Sequence, residues 1–149
     1  VKIRFGTYTR YKGYDFRLLN NSDSYRLVFD GSVCPLPKFK KYSDNVFYLD
    51  LSKREVDNAF SVRTRGIYRS YQFDVNNINV ENTIAIVTDN KNAFEDLKLE
   101  MRDRGVYQKE IKIIELDKLW EERSQTTLDL PLPKGLELMK EMDIPNALM

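Results

Sequence analysis

No histidine occurs among the 149 residues, and the only cysteine is Cys34. The first absence removes the commonest general base, the commonest metal ligand and every histidine-containing nucleophile arrangement. The second rules out an intramolecular disulfide, a cysteine-cluster zinc site and an iron–sulfur cluster, and a lone thiol fits a reducing cytoplasm. Long apolar runs are missing as well. The longest, such as IAIV at Ile84 to Val87, fall far short of the roughly 20 residues that cross a bilayer. The opening VKIRFG lacks the apolar core of a signal peptide. No G-x-x-x-x-G-K-[ST], G-x-G-x-x-G or G-x-S-x-G string is present, so phosphate-cradling loops and nucleophile elbows have no support. The expectation is a cytoplasmic protein that is not an enzyme, with no cofactor, no metal and no membrane segment.

What is present starts with charge. The net charge is +1, but it hides an asymmetry: residues 1–75 carry 14 Lys/Arg against 8 Asp/Glu, and residues 76–149 carry 10 against 15. One half is therefore +6 and the other −5. Such a split either helps the halves dock or presents a charged face that steers a partner. The length suits one compact domain that buries about two thirds of its unfolded surface.

The aromatic residues reveal a repeat. YTRYKGYDF at 8–16 returns in altered form as RGIYRSYQF at 65–73. Lys2 to Tyr11, Tyr14 to Leu19 and Ser24 to Asp30 are short and rich in aromatic and β-branched residues, with turn residues at Lys12-Gly13 and Asn20 to Asp23. They read as an antiparallel meander. Phe60 to Tyr68, Tyr71 to Val75 and Asn82 to Thr88 repeat the plan, with Arg69-Ser70 in place of Lys12-Gly13. Tyr11, Tyr14 and Phe16 align with Tyr68, Tyr71 and Phe73 at an offset of 57. RLVFDG aligns with AIVTDN at 59, and YLDLSKREV with IIELDKLWE at 65. The insertions fall in loops, where they cost little.

Each copy, about 2–59 and 60–124, thus reads as three strands, a connection, a further strand and a short helix. The first such helix opens at Ser52 with Glu55 three residues on, a capping box; the second opens at Asp117, whose carboxylate suits a helix N-terminus. The connection DNKNAFEDLKLEMRDRG reads as a helix that gathers Phe94, Leu97, Leu99 and Met101 on one face and ends at Gly105. Its counterpart GSVCPLPKFKKYSD has two prolines and reads as one helical turn at most, then a loop. Beyond Arg123 a Leu- and Met-rich arm, 125–149, holds a short helix from Gly135 to Met142, and either wraps back across the domain or meets a partner. The expected fold is α+β: one domain of two tandem β-meander repeats with helices, plus the arm.

Carboxylate neighbours such as Glu95-Asp96 and Glu121-Glu122 point about 100° apart on a helix and read as solubilising. A nucleic-acid reading rests on Arg10, Lys12, Arg63, Arg65 and Arg69 interleaved with Tyr8, Tyr11, Tyr14, Tyr68 and Tyr71. In it, an RNA or single-stranded nucleic-acid module uses the hairpin face. A sequence pI of about 7.9 argues against a dedicated nucleic-acid binder.

The opening IRFGTYTRYKGYDFRLL, in a small chain without catalytic residues and with a turn-rich repeat, resembles the immunity proteins that Gram-positive bacteria encode beside secreted polymorphic toxins. The likeness covers mainly the first hairpin, to about Leu19. It implies a cytoplasmic antitoxin that binds one cognate toxin domain and neutralises it, often by blocking the active site, and it transfers no binding residue by position. Against a basic toxin the acidic contact set is Glu95, Asp96, Glu121, Glu122 and Asp129. The competing set is the tyrosine-rich basic face, Tyr8, Tyr11, Arg65, Tyr68 and Arg69, because Tyr and Arg are favoured interface anchors.

Overall fold

The computed structural model describes residues 2–145. The chain divides into two compact units. The first comprises Gly6–Val62 and Arg123–Leu136; the second comprises Arg63–Glu122 with Val1–Phe5 and Glu137–Met149. These bounds differ from those of the sequence repeats, because Val1–Phe5 groups with the second copy while residues 60–62 and Arg123–Leu136 group with the first.

In the first unit, strands β1 (Gly6–Tyr11), β2 (Tyr14–Asn21) and β3 (Ser24–Asp30) form the meander. A hairpin of β4 (Lys40–Ser43) and β5 (Val46–Ser52) follows, then a single 3-10 turn at Lys53–Glu55 and the start of β6 (Phe60–Tyr68). The hydrogen-bonded order is β4-β5-β3-β2-β1-β6, with Tyr8 opposite Phe60. Period-two alternation sends Phe16 and Leu18 of β2, and Tyr25 and Leu27 of β3, to one side. There they meet Phe39, Leu51 and Val56. Each such side chain, buried in full, contributes about 1.5–3 kcal/mol.

In the second unit β6 continues into β7 (Tyr71–Asn77) and β8 (Thr83–Thr88), then helix α1 (Lys91–Leu97). The chain goes on through β9 (Glu100–Asp103), β10 (Val106–Lys112), a 3-10 turn at Ile113–Glu115 and β11 (Lys118–Ser124). The order here is β9-β10-β8-β7-β6, with β11 on β6 and a last strand, β12 (Met139–Glu141), on β11. Phe73, Val75, Ile84, Ile86, Leu99 and Ile111 form its core.

The six meander strands lie close to the spans read from the sequence. The α+β expectation is overturned: strands dominate, and α1 is the one α-helix among the described residues. The helix read across 89–105 is seven residues long. Asn90 caps it, its side chain accepting from the Asn92 and Ala93 backbones, and Lys98 ends it in the left-handed conformation at φ 53°. Beyond that point Leu99 is buried and the chain runs extended through β9, whose four residues are all exposed, and Gly105 sits in the β9–β10 turn rather than at a helix end. The segment GSVCPLPKFKKYSD likewise ends in strand β4, which the sequence reading missed.

The helix expected from Asp117 is strand β11, because pairing with β6 and burial of Leu119 and Trp120 outweigh any local cap. The segment Gly135 to Met142 is extended, not helical, and holds β12. The third repeat block therefore matches at an offset of 60, not 65. β4 and β5 correspond to β9 and β10, and Lys53–Glu55 to Ile113–Glu115. In both copies a glutamate takes the backbone N–H three residues back: Ser52 donates to Glu55 at 3.0 Å and Lys112 to Glu115 at 2.7 Å.

The arm packs back onto the chain. Leu128 and Leu130 lie on the first unit's main cluster, and Leu132 and Leu136 on Tyr8, Phe60 and Val62. Met142 and Ile144 pack on the second unit's core. Residues 146–149 of the arm lie outside the described residues. Among the described residues no helix is long and apolar enough to cross a membrane.

Candidate functional site

The second unit buries one side of its sheet and leaves the other open to water. On β6 the residues Thr64, Gly66 and Tyr68 are buried, so Arg63, Arg65 and Ile67 face outward. The turn Arg69-Ser70 makes Tyr68 oppose Tyr71, which puts Arg65 opposite Asp74. The row continues from Asp74 to Val87, then Gln108, then Glu100.

Asp74 is the hub of this surface. Arg63 Nη2 donates to it at 2.6 Å, and Arg65 Nε lies 3.6 Å away. Arg65 also reaches Glu122 at 3.9 Å. With its amide oxygen turned toward Arg65, Gln72 accepts from Nη2 at 2.6 Å and Nε at 3.1 Å. Trp120 Nε1 donates to the same Glu122 oxygen at 3.0 Å. Arg63, Arg65, Gln72 and Asp74, with Thr88 and Asp89, line an open cavity of about 410 Å³ that has Val87 and Val106 as its apolar part. The donors are rigid forks and the acceptors carboxylates, an arrangement that recognises polar and charged groups by geometry.

The acidic candidates are not one patch. Glu95 and Asp96 are exposed on α1, and Asp96 accepts a hydrogen bond from the Tyr71 hydroxyl, which raises the Tyr71 pKa above the usual phenol value. Glu121 is buried: both its oxygens accept from Arg4, at 2.9 and 2.8 Å. Asp129 is exposed in the first unit. Of the tyrosine-rich set, Tyr8 stacks on Phe60 in the core and Tyr68 packs edge-on to Phe73 in the core, while Tyr11 is half-buried. Arg69 lies in the hairpin turn with its guanidinium 5.3 Å from the Tyr68 ring. What the structure brings together is one member of each set, Arg65 and Glu122. Asp74, Gln72, Thr88 and Asp89 were missed, although pairing outward from a two-residue turn already sets Arg65 against Asp74.

The first unit's open face carries three pairs: Arg10 with Asp15 at 3.0 Å, Arg17 with Asp30, and Arg26 with Asp50 at 2.7 Å. The hydrogen bonds from Arg26 hold the Asp50 carboxyl below its ordinary pKa, and that to Asp30 raises Arg17.

The fold and this surface define a tandem-repeat antiparallel β protein with a polar, mixed-charge open face. Residues 3–127 match the family described as "Uncharacterised conserved protein UCP033725", and the chain belongs to that family. No curated protein and no solved structure matches it.

Proposed function

We propose that this chain is a binding protein that neutralises one cognate toxin domain in the cytoplasm, an immunity protein that works by occupancy and without turnover. The observation that carries this reading is the open cavity on the second unit, lined by Arg63, Arg65, Gln72 and Asp74, with Glu122 3.9 Å from Arg65 at its border. Arginine anchors in a mixed-charge setting give specificity and steer encounter, and clash with wrong partners. The acidic set of the sequence reading contributes Glu122 to this contact; Glu121 instead holds Arg4 in place. A nucleic-acid role loses support because Tyr8 and Tyr68, whose rings would stack on bases, are buried.

The test is co-expression with the product of the neighbouring gene. Cells carrying its toxic C-terminal domain survive when this chain is present. Arg65→Glu abolishes survival while the purified variant keeps its β-sheet circular dichroism. If no toxic neighbour exists, or if the folded wild-type chain fails to protect, the reading is wrong.

A further inference from the structure

Comparison of the two units at equivalent positions of the open face shows a missing cation. In the first unit Arg17 opposes Val28, and its guanidinium grips Asp30, two residues further along β3, with both Nε and Nη2 at 2.5 and 3.0 Å. In the second unit the same geometry places Asp74 opposite Val87, with Asp89 two residues further along the chain. The carboxylate is kept, but the residue that would grip it has changed sign. Asp74 is itself held by Arg63 and Arg65. Asp89 is exposed, and among the described residues no hydrogen bond or ion pair reaches its carboxylate. Both carboxylates line the 410 Å³ cavity, with the side chains of Thr88 and Gln72 beside them and Val87 and Val106 as apolar wall.

We propose that this cavity is a guanidinium site, and that an arginine side chain of the partner protein enters it, takes Asp89 bidentately and so supplies in trans the pair that Arg17 and Asp30 make within the first unit. The planar fork suits a carboxylate better than a lysine point charge does. The aliphatic stem of the entering side chain lies along Val87 and Val106. The proposal deepens the immunity reading and rests on it for the identity of the partner.

The site is tested first without a partner. Nα-acetyl-arginine N-methylamide is titrated into the full-length protein while backbone amide resonances are followed. Saturable shifts confined to Thr88, Asp89, Val106 and their neighbours are expected, with the uncharged citrulline analogue causing none. Asp89→Asn, an exposed substitution, weakens binding about tenfold, the loss expected of a charge-assisted hydrogen bond, and leaves the core resonances in place. Absence of localised shifts, or equal shifts with citrulline, overturns the proposal. Tighter binding of free arginine than of the blocked form would make the ligand a small molecule and overturn the docking of a partner. Where the probe binds but co-expression gives no protection, the immunity reading fails and the guanidinium site stands.

Discussion

The two units share a backbone plan and differ in what they show to water. On the side away from the main core, the row of the first runs Tyr8, Arg17, Val28, Tyr48, Lys40, with Tyr8 and Val28 buried; that of the second runs Arg65, Asp74, Val87, Gln108, Glu100. Arg17 has become Asp74 and Lys40 has become Glu100, while the valine between stays. On the buried side the same comparison gives Phe16 and Phe73, Leu27 and Ile86, Phe39 and Leu99, Leu51 and Ile111, all buried. A packed interior tolerates little change in volume, whereas an exposed position loses little when its charge inverts. The core therefore preserves the repeat, and the surface away from it is where the units differ in charge.

The strongest way to break this comparison is in the core. Phe16→Ala and Phe73→Ala remove fully buried rings, and each is expected to cost about 3–5 kcal/mol in urea unfolding. A loss under about 1 kcal/mol at either site means that the two positions are not equivalent supports.

A smaller effect separates the units. Thr9 and Gly66 are equivalent, but Thr9 donates its hydroxyl proton to the Asn58 carbonyl at 2.7 Å, while a Cβ on Gly66 would sit 2.9 Å from the Lys118 carbonyl oxygen. In one unit the side chain bridges to the segment that leads into β6; in the other its absence lets β11 approach. Gly66→Ala is expected to cost about 1–3 kcal/mol through overpacking. Unchanged thermal stability would show that β11 yields at no cost.

The hairpin turns give the smallest effect, and one of opposite sign. Lys12-Gly13 and Arg69-Ser70 both take positive φ at two successive residues, with Gly13 at 85° and Ser70 at 71°. Only glycine adopts this region freely, so Ser70→Gly is expected to stabilise by about 1 kcal/mol and Gly13→Ser to destabilise by a similar amount. A melting temperature that falls with Ser70→Gly would mean that the serine makes a compensating contact.

Much of this was legible in the chain. Alternating aromatic and β-branched residues, punctuated by two-residue turns, placed six strands, and the repeat at offsets of 57 and 59 aligned the two meanders. The helices were overread because local signals were ambiguous. DNKNAFEDLKLEMRDRG has a true N-cap at Asn90, but nothing local says that its second half will pair with β10. KLWEERS carries as much helical as strand propensity, and burial against β6 decides it. The candidate surface was half legible. Arg65 and Glu122 were each singled out on opposing arguments, and the turn at Arg69-Ser70 implied Asp74 by simple pairing.

By itself the sequence determined the strand periodicity, the tight turns and the duplication, because each depends on residues adjacent in the chain and on backbone sterics. Only the tertiary structure decided that β11 is a strand, that Glu121 turns inward to Arg4 while Glu122 faces Arg65, and that Asp89 is left without the guanidinium its counterpart has. Those outcomes depend on which strands become neighbours, a long-range choice in which burial and cross-strand pairing outweigh any preference a seven-residue window can express.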